Sequence, residues 1–313
     1  MNRKSILVNV LSITIFLVVA EVMCKLILQQ VYNRSFDSSL IEDNVYATSS
    51  GLKPNAAGRV WGKTFTTDEF RGRKNVSGTT KKRKWLFIGD SITEGVGVDD
   101  SATFSSLVSK SEKDFRVLNM SLIGYSLPDY VNVLRYFLQT DTNVERATLF
   151  YCLNDVYSAA KSHQLPVMGK TSFVGKVNSF LQKHYSTYKL VKLFAFRNSN
   201  SYFRYDAQFY QPGNEHFTEA MTYLKTFDSL CRESKVACEV VLLPYRSQLE
   251  SGNTEPQKMV TKFCKSNEIS CTDVVPHLAK QPQPSSLYLF ADEIHFSETG
   301  HKAIAYFIQK KEN

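Results

Sequence analysis

Apolar residues fall into three regimes along this chain. From Ile6 to Leu28 they run almost unbroken, interrupted by Asn9, Ser12, Thr14, Glu21 and Lys25. A helix of that length crosses a hydrocarbon core of about 30 Å, provided Glu21 and Lys25 sit at or near its interface. From Asn33 to Arg83 the sequence turns polar, with scattered aromatics, and reads as a stalk plus an irregular β arm over 60–70. Beyond it, short apolar runs alternate with amphipathic stretches. Strands are predicted over 85–88, 115–119, 147–153, 239–243 and 269–275, and helices over 102–112, 128–138, 215–230, 256–266 and 297–309. Strands that alternate with helices argue for a parallel sheet covered on its faces.

The stretch W-L-F-I-G-D-S-I-T-E-G-V-G-V, from Trp85 to Val98, organises the rest. Its apolar run ends at Gly89 and Asp90, which puts Ser91 at the carboxyl end of a buried strand, the edge where open α/β sheets bind ligands. Ser91 is there either a nucleophile or simply the N-cap of a phosphate-binding loop.

Composition adds three points. The chain has 313 residues and is 43% hydrophobic, enough to fill a core and in keeping with about two domains or one large α/β domain with extensions. Arg3 and Lys4 ahead of the apolar run favour a cytoplasmic N-terminus and place everything after it outside. No small-x-small site follows the run and Met23 precedes Cys24, so it reads as a retained anchor rather than a cleaved signal. The six cysteines show no C-x-x-C spacing, which argues against zinc. Cys231 with Cys238, and Cys264 with Cys271, each lie near a helix end and the next strand; two local disulfides and four packed thiols both remain open.

The formal net charge of +8 is concentrated in one place. Between Val156 and Tyr205 there is no Asp or Glu, but there are Lys161, Lys170, Lys176, Lys183, Lys189, Lys192, Arg197 and Arg204. Apolar positions at Phe173, Val177, Phe180, Leu181, Tyr185, Tyr188, Val191 and Phe194 predict two short amphipathic helices within this insert, 156–214. The insert is read as a cap with a solvated basic rim, a surface helix on anionic lipid, or a basic wall facing an anionic polymer. No nucleic-acid-binding motif accompanies the charge.

The polar residues at the strand ends are Ser91; Asn119 and Ser121 leading to Gly124; Asn154 with Asp155; and Asp292 with His295 in the last loop. All are expected to converge on one sheet edge. Each has a task in acyl transfer: Ser91 attacks a carbonyl, His295 takes its proton, and Asp292, three residues away, orients the imidazole. The backbone N–H groups of Ser91 and Gly124 and the Asn154 amide would hold the oxyanion. His163, His184, His216, His277 and His301 have no such partners and are read as surface or packing residues. No metal or other cofactor is proposed, since serine chemistry needs none.

G-D-S-I-T-E at Gly89–Glu94, the glycine of S-L-I-G-Y-S at Gly124, N-D at Asn154–Asp155 and D-E-I-H at Asp292–His295 together resemble the four motif blocks of the SGNH hydrolases, the GDSL esterase and lipase superfamily. The resemblance covers about 84–310. It implies a flavodoxin-like three-layer α/β/α sandwich around a five-stranded parallel sheet, with Ser91, His295 and Asp292 as the triad and Gly124 and Asn154 as oxyanion donors. One departure is that Cys152 stands where the family's third block usually has glycine. The chain therefore divides into an anchor (1–32), a stalk and β arm (33–83) and a hydrolase-like domain (84–313).

The leading expectation is a membrane-anchored serine esterase acting outside the cytoplasm on O-acyl groups, acetyl esters foremost, of a cell-envelope or exported polysaccharide. The alternatives are a polysaccharide O-acyltransferase, in which a sugar hydroxyl intercepts the acyl-enzyme, and a lipid or lysophospholipid esterase. From another class comes an idle glycan-binding module, which would have no need of a nucleophile paired with a base.

Overall fold

The strand that carries Ser91 lies inside the main sheet with a neighbour on each side. The computed structural model describes residues 3–76, 80–157 and 172–312; Lys161, His163 and Lys170 lie outside them. Strands β5 (Lys84–Ile88), β6 (Arg116–Asn119), β7 (Val144–Tyr151), β8 (Ala237–Leu242) and β9 (Cys271–Asp273) form one sheet in the order β6-β5-β7-β8-β9. Every pairing in it is parallel, as expected. The chain runs from β5 to β6 on one side and then returns to β7 on the other, so the direction of winding reverses about β5. A crevice opens at the carboxyl ends of the strands where that happens.

Burial on both faces explains why β5 reads as continuous apolar sequence: Trp85, Leu86, Phe87 and Ile88 are all buried. Two helices, α3 (Phe104–Ser111) and α4 (Leu127–Thr140), follow β5 and β6; a short α2 (Ser91–Glu94) lies between β5 and α3. Ser126 and Asp129 form a reciprocal capping box at the start of α4, with Pro128 in its first turn. The last strand is shorter than the apolar run 269–275 suggested, because only Cys271–Asp273 finds a partner, on β8.

The polar region before the sheet is more ordered than a stalk. Antiparallel hairpins β1 (Ile41–Tyr46) with β2 (Ser49–Leu52) and β3 (Ala57–Val60) with β4 (Lys63–Thr66) pack on the domain through buried Leu40, Tyr46, Leu52, Val60 and Phe65. The arm therefore begins near residue 41 rather than 60.

Helix α1 (Arg3–Val31) is long and apolar enough to cross a membrane, and its apolar side chains are exposed. The insert contributes α5 (Phe173–His184), α6 (Ser186–Ala195) and α7 (Ser201–Ala207), and α6 lies against α1. Glu21, the acid that interrupts the apolar run, is explained by that contact. Its carboxylate accepts hydrogen bonds from the Thr187 N–H (3.0 Å) and hydroxyl (2.8 Å) and from the Ser186 N–H, at the otherwise unsatisfied N-terminus of α6. After the insert come α8 (Glu215–Glu233), α9 (Arg246–Ser251), α10 (Glu255–Ser266), α11 (Val275–Leu278) and α12 (Glu298–Glu312); α8 packs on α4, and α12 on α3. Cys231 and Cys238, and likewise Cys264 and Cys271, are thiols in hydrogen-bonding contact with each other.

Candidate active site

Gly89 is required by close approach: a Cβ there would come 2.3 Å from the Thr93 hydroxyl, because α2 folds back directly onto the strand that precedes it. The N-cap of α2 is Asp90, whose carboxylate accepts from the Ile92 N–H at 2.9 Å. Ser91 is therefore not the cap, which leaves its hydroxyl free for other chemistry.

That hydroxyl is 2.9 Å from His295 Nε2. On the other side of the ring, Nδ1 is 3.0 Å from Asp292 Oδ2 and 3.1 Å from Oδ1. The loop leading into α12 folds so that Asp292 Oδ1 also accepts from the N–H groups of Ile294 (2.7 Å) and His295 (2.8 Å). The spacing of three thus closes a small ring that locks the carboxylate beneath the imidazole. Burial alone would raise the Asp292 pKa, but His295, Arg34 and the backbone donors outweigh it and hold the carboxyl far below its ordinary range. The group stays ionised and ready to stabilise an imidazolium. A hydroxyl, an imidazole and a carboxylate in this series can transfer a proton from the serine as it attacks an electrophile.

The three expected oxyanion donors stand in different situations. Gly124 has φ +87°, with open space where a Cβ would be, and its N–H has no partner among the described residues. The Ser91 N–H, at the first position of α2, is likewise unpaired among them. Asn154 Nδ2 donates to Asp90 Oδ2 at 3.2 Å, which orients the amide and leaves its second hydrogen available. Three other sheet-edge residues do not join the site. Asn119 is fully buried and donates to Thr93 O and Ser105 Oγ; Ser121 is buried beside it; Asp155 accepts from the Cys152 N–H (2.7 Å) and the Tyr130 hydroxyl (2.7 Å). They brace the loops from behind. The Cys152 side chain is also fully buried and presents no obstacle to a substrate. His301 is a packing residue between Phe104 and Phe296; burial lowers its pKa to about 3, so it stays neutral.

Several residues of the site carried no signal in the sequence pattern. Arg34, just beyond α1, places Nη2 2.8 Å from Asp292 Oδ2. Its guanidinium lies over the rings of Trp61 (3.9 Å) and Tyr32 (4.5 Å), and Trp61 meets the His295 ring edge-on at 4.6 Å. Arg73, wholly buried, donates to Asp100 and to the carbonyls of Glu94, Gly95 and Val98, fixing the chain that follows α2. Glu94 accepts from the Ile123 N–H at 2.9 Å, one residue before Gly124. Burial, partly offset by Arg73, raises the Glu94 pKa to about 8. Glu293 accepts from the N–H groups of Tyr202 and Phe203 at the start of α7 and from the Ser247 hydroxyl, tying the insert to the loop that holds His295.

Beside Asp292 and His295 lies a cavity of about 310 Å³, whose wall includes Tyr32, Arg34, Trp61, Arg197, Ser199 and Tyr202. The arm forms one side and the end of the insert the other. No group of three or more His, Cys, Asp or Glu residues suited to a metal occurs among the described residues.

The model of the GDSL-like lipase/acylhydrolase family matches residues 86–308. Among solved structures, the chain is similar to a lipolytic protein of the G-D-S-L family from Veillonella parvula, at 15% identity, covering 73% of this chain and 97% of that one with a TM-score of 0.44. It is similar to a catalytic mutant of an acetylxylan esterase from Geobacillus stearothermophilus, at 15% identity, with 76% and 96% covered and a TM-score of 0.43. A lipase/acylhydrolase from Enterococcus faecalis is 15% identical, with 73% and 94% covered and a TM-score of 0.42. A comparison with curated proteins finds no match.

Proposed function

Because the chain belongs to the GDSL-like lipase/acylhydrolase family, we propose that it is a serine esterase, held at a membrane by α1, that removes O-acyl groups, acetyl foremost, from a cell-envelope or exported polysaccharide. The observation that carries this reading is the continuous hydrogen-bonded series from Ser91 through His295 to Asp292.

Ser91 Oγ attacks the ester carbonyl while His295 Nε2 takes its proton. The oxyanion is held by the N–H groups of Ser91 and Gly124 and the Asn154 amide. Collapse breaks the bond to the sugar oxygen, which takes the proton from His295 and leaves as a hydroxyl. Water, deprotonated by the same imidazole, then releases the acid and regenerates the serine. A sugar hydroxyl in place of that water would make the protein an O-acyltransferase, and exclusion of water decides between them. The mixed polar and aromatic wall of the adjoining cavity suits a carbohydrate face.

In this reading residues 1–32 are the anchor, with the N-terminus cytoplasmic, residues 33–83 the arm, and residues 84–313 the extracytoplasmic hydrolase domain. A second reading is favoured by the insert: Phe173, Val177 and Phe180 are exposed on α5, and Val191 on α6, which lies against α1, interspersed with Lys176, Lys183, Lys189 and Lys192. Such a surface suits anionic lipid and makes a lipid or lysophospholipid ester the alternative substrate. The two readings separate when the full chain in detergent micelles is given acetylated polysaccharide or lysophospholipid. Acetate release that is lost in Ser91→Ala supports the first, and fatty-acid release with no acetate the second.

A further inference from the structure

The arm does more than brace the domain, because it delivers two side chains to groups that carry the proposed proton transfer. Asn33 makes a local turn, its side chain accepting from the Ser35 N–H (2.9 Å) and hydroxyl (2.6 Å). The next residues are zipped to the β3–β4 hairpin: the Trp61 N–H donates to Ser35 O at 2.7 Å, and Phe36 bridges to Val60. Arg34 is thereby set beside the hairpin tip. That tip is a two-residue loop, Trp61-Gly62, with φ +50° and +76°. Gly62 adopts this conformation freely, whereas a tryptophan there is strained and persists only where its surroundings fix it. The strain turns the indole so that one face carries the Arg34 guanidinium while the ring meets the His295 imidazole.

We propose that Arg34 is a positioning residue of the active site: with Trp61 it fixes the Asp292 carboxylate and the His295 ring, so that the segment leaving the membrane helix completes the hydrolytic centre. The proposal rests on the esterase reading for its meaning but not for its test. Asp292 Oδ2 takes two strong donors, Arg34 Nη2 at 2.8 Å and His295 Nδ1 at 3.0 Å, while Oδ1 is held by backbone. The carboxylate therefore cannot turn away from the imidazole without breaking an ion pair that is only 10% exposed on the aspartate side. Arg246, the other guanidinium beside Asp292, is committed to the Asp292 and Ser199 carbonyls.

The test uses the full chain in detergent micelles, labelled with ¹⁵N-histidine, the His295 ring N–H resonance being assigned by its loss in His295→Gln. Arg34→Met, which frees the carboxylate to turn from the imidazole, should broaden that resonance beyond detection through exchange with water, whereas Arg34→Lys, which keeps a charged donor beside Asp292, should retain it. With p-nitrophenyl acetate, Arg34→Met should lower kcat about tenfold with KM little changed, and Arg34→Lys should recover most of that loss. An unchanged His295 N–H resonance in Arg34→Met, even with lowered thermal stability, would overturn the proposal and leave Arg34 a structural tie. Loss of the resonance in Arg34→Lys as in Arg34→Met would also overturn it, since the ion pair would not be the cause. The resonance is read whether or not the ester is cleaved, so failure of the esterase reading is recognised separately, by absence of turnover in the parent chain.

Discussion

Arg73→Met is the substitution whose cost the structure defines best. The side chain is 1% exposed, and its Nε is paired with Asp100 Oδ1 at 2.9 Å, the aspartate being 11% exposed. Its two terminal nitrogens donate to the carbonyls of Glu94 (2.9 Å), Gly95 (2.5 Å), Val98 (2.7 Å) and Thr64 (3.2 Å), and the guanidinium lies over Phe65 at 4.7 Å. Methionine fills much of the volume but leaves Asp100 buried without its cation and the carbonyls without donors. Breaking one side of a buried ion pair typically costs about 3–5 kcal/mol, and the carbonyls, which can relax toward water, do not add in full. For a domain of this size that is roughly a 10 °C fall in Tm. The assay is thermal unfolding of the full chain in detergent, followed by the fluorescence of Trp61 and Trp85. Arg73→Met with Asp100→Asn should recover about 1–2 kcal/mol of the loss, because the stranded charge is gone. A loss under about 1 kcal/mol in Arg73→Met would refute the view that this residue holds the arm and the chain after α2 together.

Three further outcomes follow from the site. Asn154→Ala should lower kcat by about 10²–10³, the usual cost of one oxyanion donor, with KM nearly unchanged; a kcat within threefold of the parent would remove Asn154 from that role. Glu94, with its pKa raised to about 8 by burial, binds a proton in the folded state between pH 4.5 and 8 that the unfolded chain releases. Stability from this group is therefore full at acidic pH and lost as pH rises through 8. Glu94→Gln should accordingly melt higher relative to the parent at pH 8 than at pH 5, and a Tm difference independent of pH would contradict this. Charge reversal at Lys176, Lys183 and Lys192 together should weaken binding of the insert to anionic vesicles by at least tenfold at low salt, and unchanged binding would leave the insert as a cap.

What was legible in the sequence was whatever has a local cause. The sheet announced itself because β5 and β6, and the carboxyl-terminal parts of β7 and β8, are buried on both faces and so read as short apolar runs. The four motif blocks could be gathered because they all fall at strand ends or in the last loop. Arg34, Trp61 and Arg73 were invisible for the opposite reason: they stand in a polar stretch without periodicity, and Arg34 meets its partner Asp292 only through tertiary folding. Asn119, Ser121 and Asp155 misled because a polar residue at a strand end can cap and brace a loop as readily as face a ligand. The length of β9 depended on how much of the apolar run pairs with β8, which no local pattern records. The Cys231–Cys238 and Cys264–Cys271 pairs show the same contrast. Their proximity followed from helix-to-strand spacing, while their oxidation state depends on the compartment.

In the proposed mechanism Ser91 is a nucleophile activated by His295. The most direct measurement is covalent labelling of the full-length protein with a fluorophosphonate, with the site read by peptide mass spectrometry and the rate compared in His295→Gln. Labelling of Ser91 alone, slowed at least a hundredfold in the variant, is the result expected. No labelling of Ser91, or labelling at the same rate without His295, would contradict it.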